Sequence, residues 1–313
     1  MPILLRSEAD ILRLSFITDV YVNPLDLRGH MTTGLAEVLS EHFGGAVRED
    51  YEAACKEGKI QIGQLWLWTS TQTSQVLANV PTKRHYADPT DEDHLRRCLQ
   101  ALRTYLQEHP FHRVTMPLLG GALGQMPMDD AEAMHREYLD DLPNIIQISL
   151  RPATFKDGPP KYLAVIGSRA LTDRAYVEET IQKAFVRWGL KPSDFKAMIS
   201  GGAPKGVDAF ACGTSMKDVS YTESIAAKLG MRPIIAEADW KRYGRSAGYK
   251  RNTTVVDIAT HCVACLDERK DPSVGTRQAL RLLRDWNAEH PDTIKPIVAV
   301  SYKKETPTPE SAK

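Results

Sequence analysis

The chain has 313 residues, and its 40 Lys and Arg balance its 40 Asp and Glu, so the formal net charge is zero. That length suggests about two domains. The neutral balance excludes an overall basic field that would draw in nucleic acid or an anionic membrane, so any nucleotide recognition has to be local. No apolar run approaches the roughly 20 residues that span a bilayer. The opening "MPILLRSEAD" meets acidic residues too early for a signal peptide, so a soluble, cytoplasmic protein with no membrane partner is expected.

Cys55, Cys98, Cys212, Cys262 and Cys265 form an odd, scattered set, which argues against a disulfide framework. Cys262 and Cys265 make a CxxC inside the apolar run "HCVACL", with no second pair nearby. That context favours a buried strand over zinc, and no metal site is expected.

In chain order, apolar runs alternate with amphipathic stretches, the pattern of an α/β protein. Strands are expected at "LSFITDVYVN", "IGQLWLW", "SQVLANV", "HRVTMPLL" and "NIIQISL", with helices over 32–43, 90–107 and 128–141. The second helix has a start signal, because Thr90 can cap it while Asp91, Glu92 and Asp93 place negative charge in the first turn. The stretch "RPATFKDGPPK" carries adjacent prolines, a glycine and charge, so 153–160 reads as a linker between domains 1–152 and 161–302. Beyond it come strands at "YLAVIG", "KAMISGG", "MRPIIAE", "HCVACL" and "KPIVAVSY", with helices near 173–189, 219–229, 246–260 and 275–288. This order implies a second, mostly parallel sheet. The polar, proline-bearing tail 303–313 reads as disordered.

Three segments of the first half put backbone-rich loops after strands: "VNPLDLRGHMTTG", "NVPTKRHY" and "MPLLGGALGQM". A glycine turn leading into a helix offers free N–H groups and a positive dipole end, a generic phosphate cradle. In this order and spacing, and with "YEAACKEGKIQIGQLWLW" between them, the segments resemble the macrodomain family. The nearest branch is the one containing DarG and the terminal ADP-ribose glycohydrolase, and the likeness covers nearly all of 1–150.

The resemblance implies a mixed sheet flanked by helices and one pocket for ADP-ribose. Asn23 would lie beside the distal ribose. Gly29, Met31, Thr33 and Gly34 would meet the diphosphate and that ribose. Leu119, Gly120, Gly121, Ala122, Leu123, Gly124 and Gln125 would close over the phosphates, with Thr82 beside them. Asp10 would approach the adenine, with Asp19 as a competitor for that role.

Lys83 is the implied catalytic residue, acting by attack on the anomeric carbon or by electrostatic help there. A lysine amine attacks only once deprotonated, which requires desolvation or neighbouring cations, and Arg84 and His85 are candidates for the latter. Without chemistry, Lys83, Arg84 and His85 would grip phosphate or form a solvated loop. The glycohydrolase carries an aspartate where this chain has Gly124, and Thr32 and Thr33 replace a usual glycine-rich segment.

The second half opens with "YLAVIGSRALTD", where Gly167 allows close approach, Ser168 can donate a hydrogen bond and Arg169 can hold phosphate. "MISGGAPKGVDAFA" then brings Gly201, Gly202, Lys205, Gly206 and Asp208 to a helix start. "ADWKRYGRSAGYKRN" carries Arg251 and Asn252, and "PSVGTRQAL" carries Gly275 and Thr276. Neither a P-loop nor GxGxxG is present, which disfavours a conventional NTPase or dehydrogenase.

The ordered set resembles the SLOG superfamily, in its YspA-like branch related to DprA and to phosphoribohydrolases. It implies a Rossmann-like nucleotide site built from those twelve residues, and a homo-oligomer formed through this domain. The phosphoribohydrolases have a glutamate where this chain has Ala279, which disfavours their cleavage. Trp240 and Tyr243 could be core residues or base-stacking ones.

The two resemblances together imply a protein that takes ADP-ribose or a related NAD-derived nucleotide and requires no cofactor. It would remove ADP-ribosyl groups from nucleic acid or protein, with ADP-ribosylated DNA or protein as the partner, in a bacterial or phage-infected host cell. The alternatives are a non-catalytic sensor or sponge of such nucleotides in phage defence, and DprA-like binding of single-stranded DNA, for which "KRYGRSAGYKR" is the local basic patch.

Overall fold

The computed structural model describes residues 3–6, 11–12, 18–121, 124–150, 158–214, 219–267 and 273–302. Asp10, Ala122, Leu123, the tail 303–313 and most of the expected linker lie outside the described residues. The chain divides into two compact units, Met1–Pro160 and Lys161–Lys313.

The first unit contains β1 (Leu4–Arg6), β2 (Val20–Asp26), α1 (Gly34–Phe43), α2 (Ala46–Lys56), β3 (Trp66–Thr69), β4 (Val76–Lys83), α3 (Glu92–Glu108), β5 (Arg113–Pro117), α4 (Met128–Leu139) and β6 (Ile145–Ser149). Among the described residues these strands form one mixed sheet in the order β1-β6-β5-β2-β4-β3, with β3 antiparallel to β4 and the other pairs parallel. Side chains alternate faces along a strand. Val20 and Val22 of β2, with Val76, Ala78 and Val80 of β4, pack against Leu95, Leu99, Leu102 and Leu106 of α3 and Ala131 and Met134 of α4. Tyr21 and Leu77 point the other way, against Leu39 of α1 and Val47 of α2. The sheet therefore has a helix layer on each side. The leucines of α3 recur every three to four residues and are fully buried, and truncating any one to alanine typically costs roughly 2–5 kcal/mol.

Helix α3 is capped differently from the expectation. Asp91 accepts from the His94 N–H at 3.0 Å, while Thr90 turns its own N–H to the Gly124 carbonyl. Helix α2 and strand β1 were not expected.

The second unit contains β7 (Lys161–Gly167), α5 (Arg174–Trp188), β8 (Phe195–Ser200), α6 (Val207–Cys212), α7 (Ile225–Lys228), β9 (Arg232–Ile235), α8 (Trp240–Tyr243), α9 (Ala247–Ile258), β10 (His261–Leu266), α10 (Val274–Glu289) and β11 (Ile297–Ser301). Its sheet is parallel throughout the described residues, in the order β11-β10-β7-β8-β9. Leu163, Val165, Val263 and Cys265 face α5 and α6. Ala164, Ile166, Cys262 and Ala264 alternate with them and are equally buried, on the face where α9 and α10 pack. Cys262 and Cys265 thus point to opposite faces of β10 and cannot share a metal ion, and burial pushes both thiols up to about 12. The expected helix over 219–229 is reduced to a single 3-10 turn followed by the one turn of α7.

Candidate functional site

Strands β5, β2 and β4 are adjacent and parallel, so their C-terminal ends share one edge of the sheet. The loops 27–33, 84–91 and 118–127 leave from that edge. Two backbone bonds join them: Leu27 N–H donates to the Lys83 carbonyl at 3.2 Å, and Thr90 N–H donates to the Gly124 carbonyl at 2.9 Å.

Lys83 is the last residue of β4 and stands opposite Asp26, the last residue of β2. Partial burial lowers the pKa of its amine, while Asp88 and then Asp26 pull it back up. The expected helpers Arg84 and His85 are not what shifts it. The lysine is desolvated enough to be tuned, yet flanked by carboxylates that hold its charged form.

Asn23 lies inside β2 rather than on the loop after it. It is fully buried, and its Nδ2 donates to Asn79 Oδ1 at 2.9 Å. Its own Oδ1 has no hydrogen-bond partner among the described residues. Met31 is also interior, packed with Leu25, Tyr51 and Ile60, so its side chain serves the core. Gly29 lies within the 27–33 loop, and Thr33 is exposed at its end, immediately before Gly34 of α1. Thr82 is buried beside Lys83, and Leu119, Gly120, Gly121, Gly124 and Gln125 follow β5, with Gln125 at a positive φ of 61°. Asp19 is bound elsewhere: it precedes β2 at the opposite end of the sheet, where its Oδ2 accepts from Arg113 Nε at 2.8 Å.

In the second unit, strand order reverses between β7 and β10, the place where open parallel sheets form a ligand crevice. A cavity of about 240 Å³ opens there, and its lining includes Gly167, Arg169, Gly201, Asp208, Arg251, Asn252, Gly275 and Thr276. Ser168, Gly202, Lys205 and Gly206 stay outside the lining. Ser168 is buried with its Oγ accepting from the Ala170 N–H, and Lys205 is exposed.

Arg251 donates to the Gly201 carbonyl and, through Nε, to Asn252 Oδ1 at 2.9 Å. Asn252 donates onward to the Gly275 carbonyl at 3.0 Å, tying α9 to α10. Burial pushes the Asp208 carboxyl up, and Arg251, 3.9 Å away, opposes that. Ser273, at a positive φ of 48°, and Ala203 also line the cavity and were not anticipated. Trp240 is exposed rather than core, and the Tyr243 ring has the Arg242 guanidinium 5.0 Å and the Lys250 amine 4.6 Å from its centroid.

Residues 22–135 match the model of the Macro domain family. The first unit contains a Macro domain. Among known proteins, the chain is 26% identical over 132 residues to the DNA ADP-ribosyl glycohydrolase of Thermus aquaticus, covering 41% of this chain and 36% of that protein. It is likewise 26% identical over 176 residues to the DNA ADP-ribosyl glycohydrolase of Mycobacterium tuberculosis, covering 56% of this chain and 48% of that one. The match thus spans half or less of each relative's length. Among solved structures, the macrodomain of Thermus aquaticus DarG aligns with a TM-score of 0.43 at 23% identity, over 47% of this chain and 99% of that chain.

Within the Macro domain, Gly124 is occupied territory. A Cβ there would lie 2.8 Å from Thr90 Oγ1, so the threonine takes the space that a longer side chain would need. The start of the same loop rests on His135 of α4. Its Nε2 accepts from the Leu119 N–H at 3.3 Å and its Nδ1 donates to the Ala131 carbonyl at 2.7 Å, while burial lowers its pKa to about 4. His135 is therefore a neutral prop beneath the loop.

Sequence reasoning passed over His135, Asp26, His30 and Asp88. For Asp26 and His30 a signal was available, an Asp and a His four apart around Gly29 in "DLRGH".

Proposed function

We propose that the Macro domain binds ADP-ribose and removes ADP-ribosyl groups from nucleic acid or protein, with Lys83 at the reacting centre. The carrying observation is the placement of a desolvated lysine where three strand ends and their bonded loops converge. The loops supply backbone N–H groups for a diphosphate, and partial burial favours the free amine of Lys83 while Asp88 and Asp26 oppose it by holding the charged form. The relatives' activity on DNA favours DNA as the target. Asn23, Gly29, Thr33, Gly34, Thr82, Gly120, Gly121 and Gln125 are proposed as the surrounding binding residues.

The second unit, on this reading, is a SLOG-like domain that takes a nucleotide or nucleotide sugar. Its cavity sits at the strand-order reversal and collects eight of the twelve motif residues. Arg169 and Arg251 would meet phosphate there. A homo-oligomer through this unit, and a place in bacterial or phage conflict, belong to the same proposal.

The test is release of ADP-ribose from ADP-ribosylated DNA and from ADP-ribosylated protein. Wild type should release it from at least one, and Lys83→Ala should slow release by roughly 10²-fold or more, as loss of a positioned catalytic group does. A protein that releases nothing but binds free ADP-ribose calorimetrically would be the non-catalytic sensor instead. The departure at Gly124 is what keeps that second reading in play.

A further inference from the structure

His30 sits in the loop between β2 and α1, and its ring is held by a single carboxylate. Nδ1 of His30 lies 2.8 Å from Oδ2 of Asp26, and Oδ1 of the same carboxylate accepts from the Arg28 N–H at 2.9 Å. The carboxylate is buried whereas the imidazole is about half exposed, with side-chain accessibilities of 2% and 47%. Tyr51 donates its hydroxyl to the Asp26 carbonyl at 3.1 Å, which fixes the backbone from which the carboxylate projects. An Nδ1–H donated to a carboxylate leaves Nε2 as the lone-pair nitrogen. This bond belongs to neither the core nor a helix end, and it stands at the strand end paired with Lys83. The His30 ring also lies 6.1 Å from that of His85 and 5.3 Å from that of Tyr86, both on the loop that leaves Lys83.

We infer that Asp26 and His30 form a proton-transfer pair for the reaction at Lys83, with His30 as a further catalytic residue and Asp26 as the residue that positions it. The inference rests on the hydrolytic reading of the site. Water oxygen forms the new bond to the anomeric carbon of the ADP-ribosyl group, and the bond from that carbon to the target atom breaks, leaving its electron pair on the target. The proton shed by water goes to Nε2 of His30 and from there, directly or through solvent, to the released target atom. One proton is taken and one returned, so the pair is restored without any other reactant. An orienting carboxylate behind an imidazole selects the useful tautomer and stabilises the imidazolium while it lasts. The groups that share this surface are Asp26 of β2, Lys83 of β4, His85, Tyr86 and Asp88 of the following loop, Arg28 beside the histidine, and Glu52 of α2 against Gly29.

The experiment measures ADP-ribose release from ADP-ribosylated DNA by the full chain, together with its pH profile and calorimetric binding of free ADP-ribose. His30→Gln should lower kcat by roughly 10²-fold or more while ADP-ribose affinity stays within a few-fold, and should remove the limb of the pH profile that follows an imidazole. Asp26→Asn donates an amide N–H to Nδ1, turns the ring into its other tautomer, and should lower kcat to a similar extent. In His30→Ala, added imidazole should restore part of the rate, a rescue that a merely structural histidine would not show. Retained ADP-ribose binding in each variant establishes that it is folded. If wild type is active and the three variants match it, or lose rate with the pH limb intact and no rescue, the pair has no part in proton transfer while the hydrolytic reading stands. If wild type itself releases nothing, the hydrolytic reading falls and the pair's role falls with it.

Discussion

Lys83 ends an eight-residue strand in which seven residues are buried, and that position explains both the lowered pKa of its amine and its legibility. A cation at the exit of an apolar run can be read from sequence, and "NVPTKRHY" marks it. What cannot be read is the charge that faces it, because Asp26 arrives from a strand more than fifty positions earlier and Asp88 from a turn. Local sequence put cations around the lysine, whereas the fold puts carboxylates there. His135 was harder still, since one histidine in an amphipathic helix carries no mark of burial.

Its burial nevertheless has a measurable consequence. The folded pKa of about 4 lies below the ordinary 6.5, so the unfolded chain binds the proton more tightly. The stability gained by keeping the ring neutral is complete above the unfolded value and is lost as pH falls from 6.5 through about 4. It amounts to roughly 3 kcal/mol, at about 1.4 kcal/mol per pKa unit. His261 carries a similar depression in the second unit, so the comparison has to be with a variant. Urea midpoints of wild type should fall more steeply between pH 7 and pH 4 than those of His135→Gln. Equal slopes would mean that His135 does not enter the fold as a buried neutral ring.

At the scale of elements, long periodic segments were readable and short or polar ones were not. Helix α3 announced itself through leucines at helical spacing, and β7 and β10 through unbroken apolar runs, because strands covered on both faces need no polar alternation. Helix α2 escaped because "AVREDYEAACK" is rich in charge and short of large apolar residues, although it buries Val47, Tyr51 and Ala54 at helical spacing. Strand β1 is three residues long and is defined by its pairing with β6.

In the second unit one junction is closed tightly, where α6 begins against the turn after β7. Gly206 has φ of 71°, and a Cβ there would lie 2.3 Å from the Ser168 carbonyl oxygen and 2.7 Å from Arg169 Cα. Both obstacles are backbone, so neither can swing aside. Gly206→Ala should therefore cost more than the roughly 1–3 kcal/mol of a disfavoured backbone conformation alone. A urea midpoint for the second unit within error of wild type would show that this turn is not as tightly closed as the geometry says.

At the scale of the whole molecule, each unit has its own sheet and its own buried cluster, and each presents candidate ligand residues at the C-terminal ends of parallel strands. Two sites of similar architecture in one chain can act independently or as a coupled pair, and coupling must be reciprocal in binding free energy. Arg169 offers a clean way to separate these cases, since it lines the cavity of the second unit yet is exposed and so is not required for packing. Arg169→Ala should strip the second unit of a retained or added nucleotide, followed by mass spectrometry of the purified full chain. Calorimetry on the same variant should find ADP-ribose binding to the Macro domain unchanged within about threefold if the two sites act independently. A tenfold or larger change in ADP-ribose affinity would instead show that the two sites are linked, and that the second unit regulates the first.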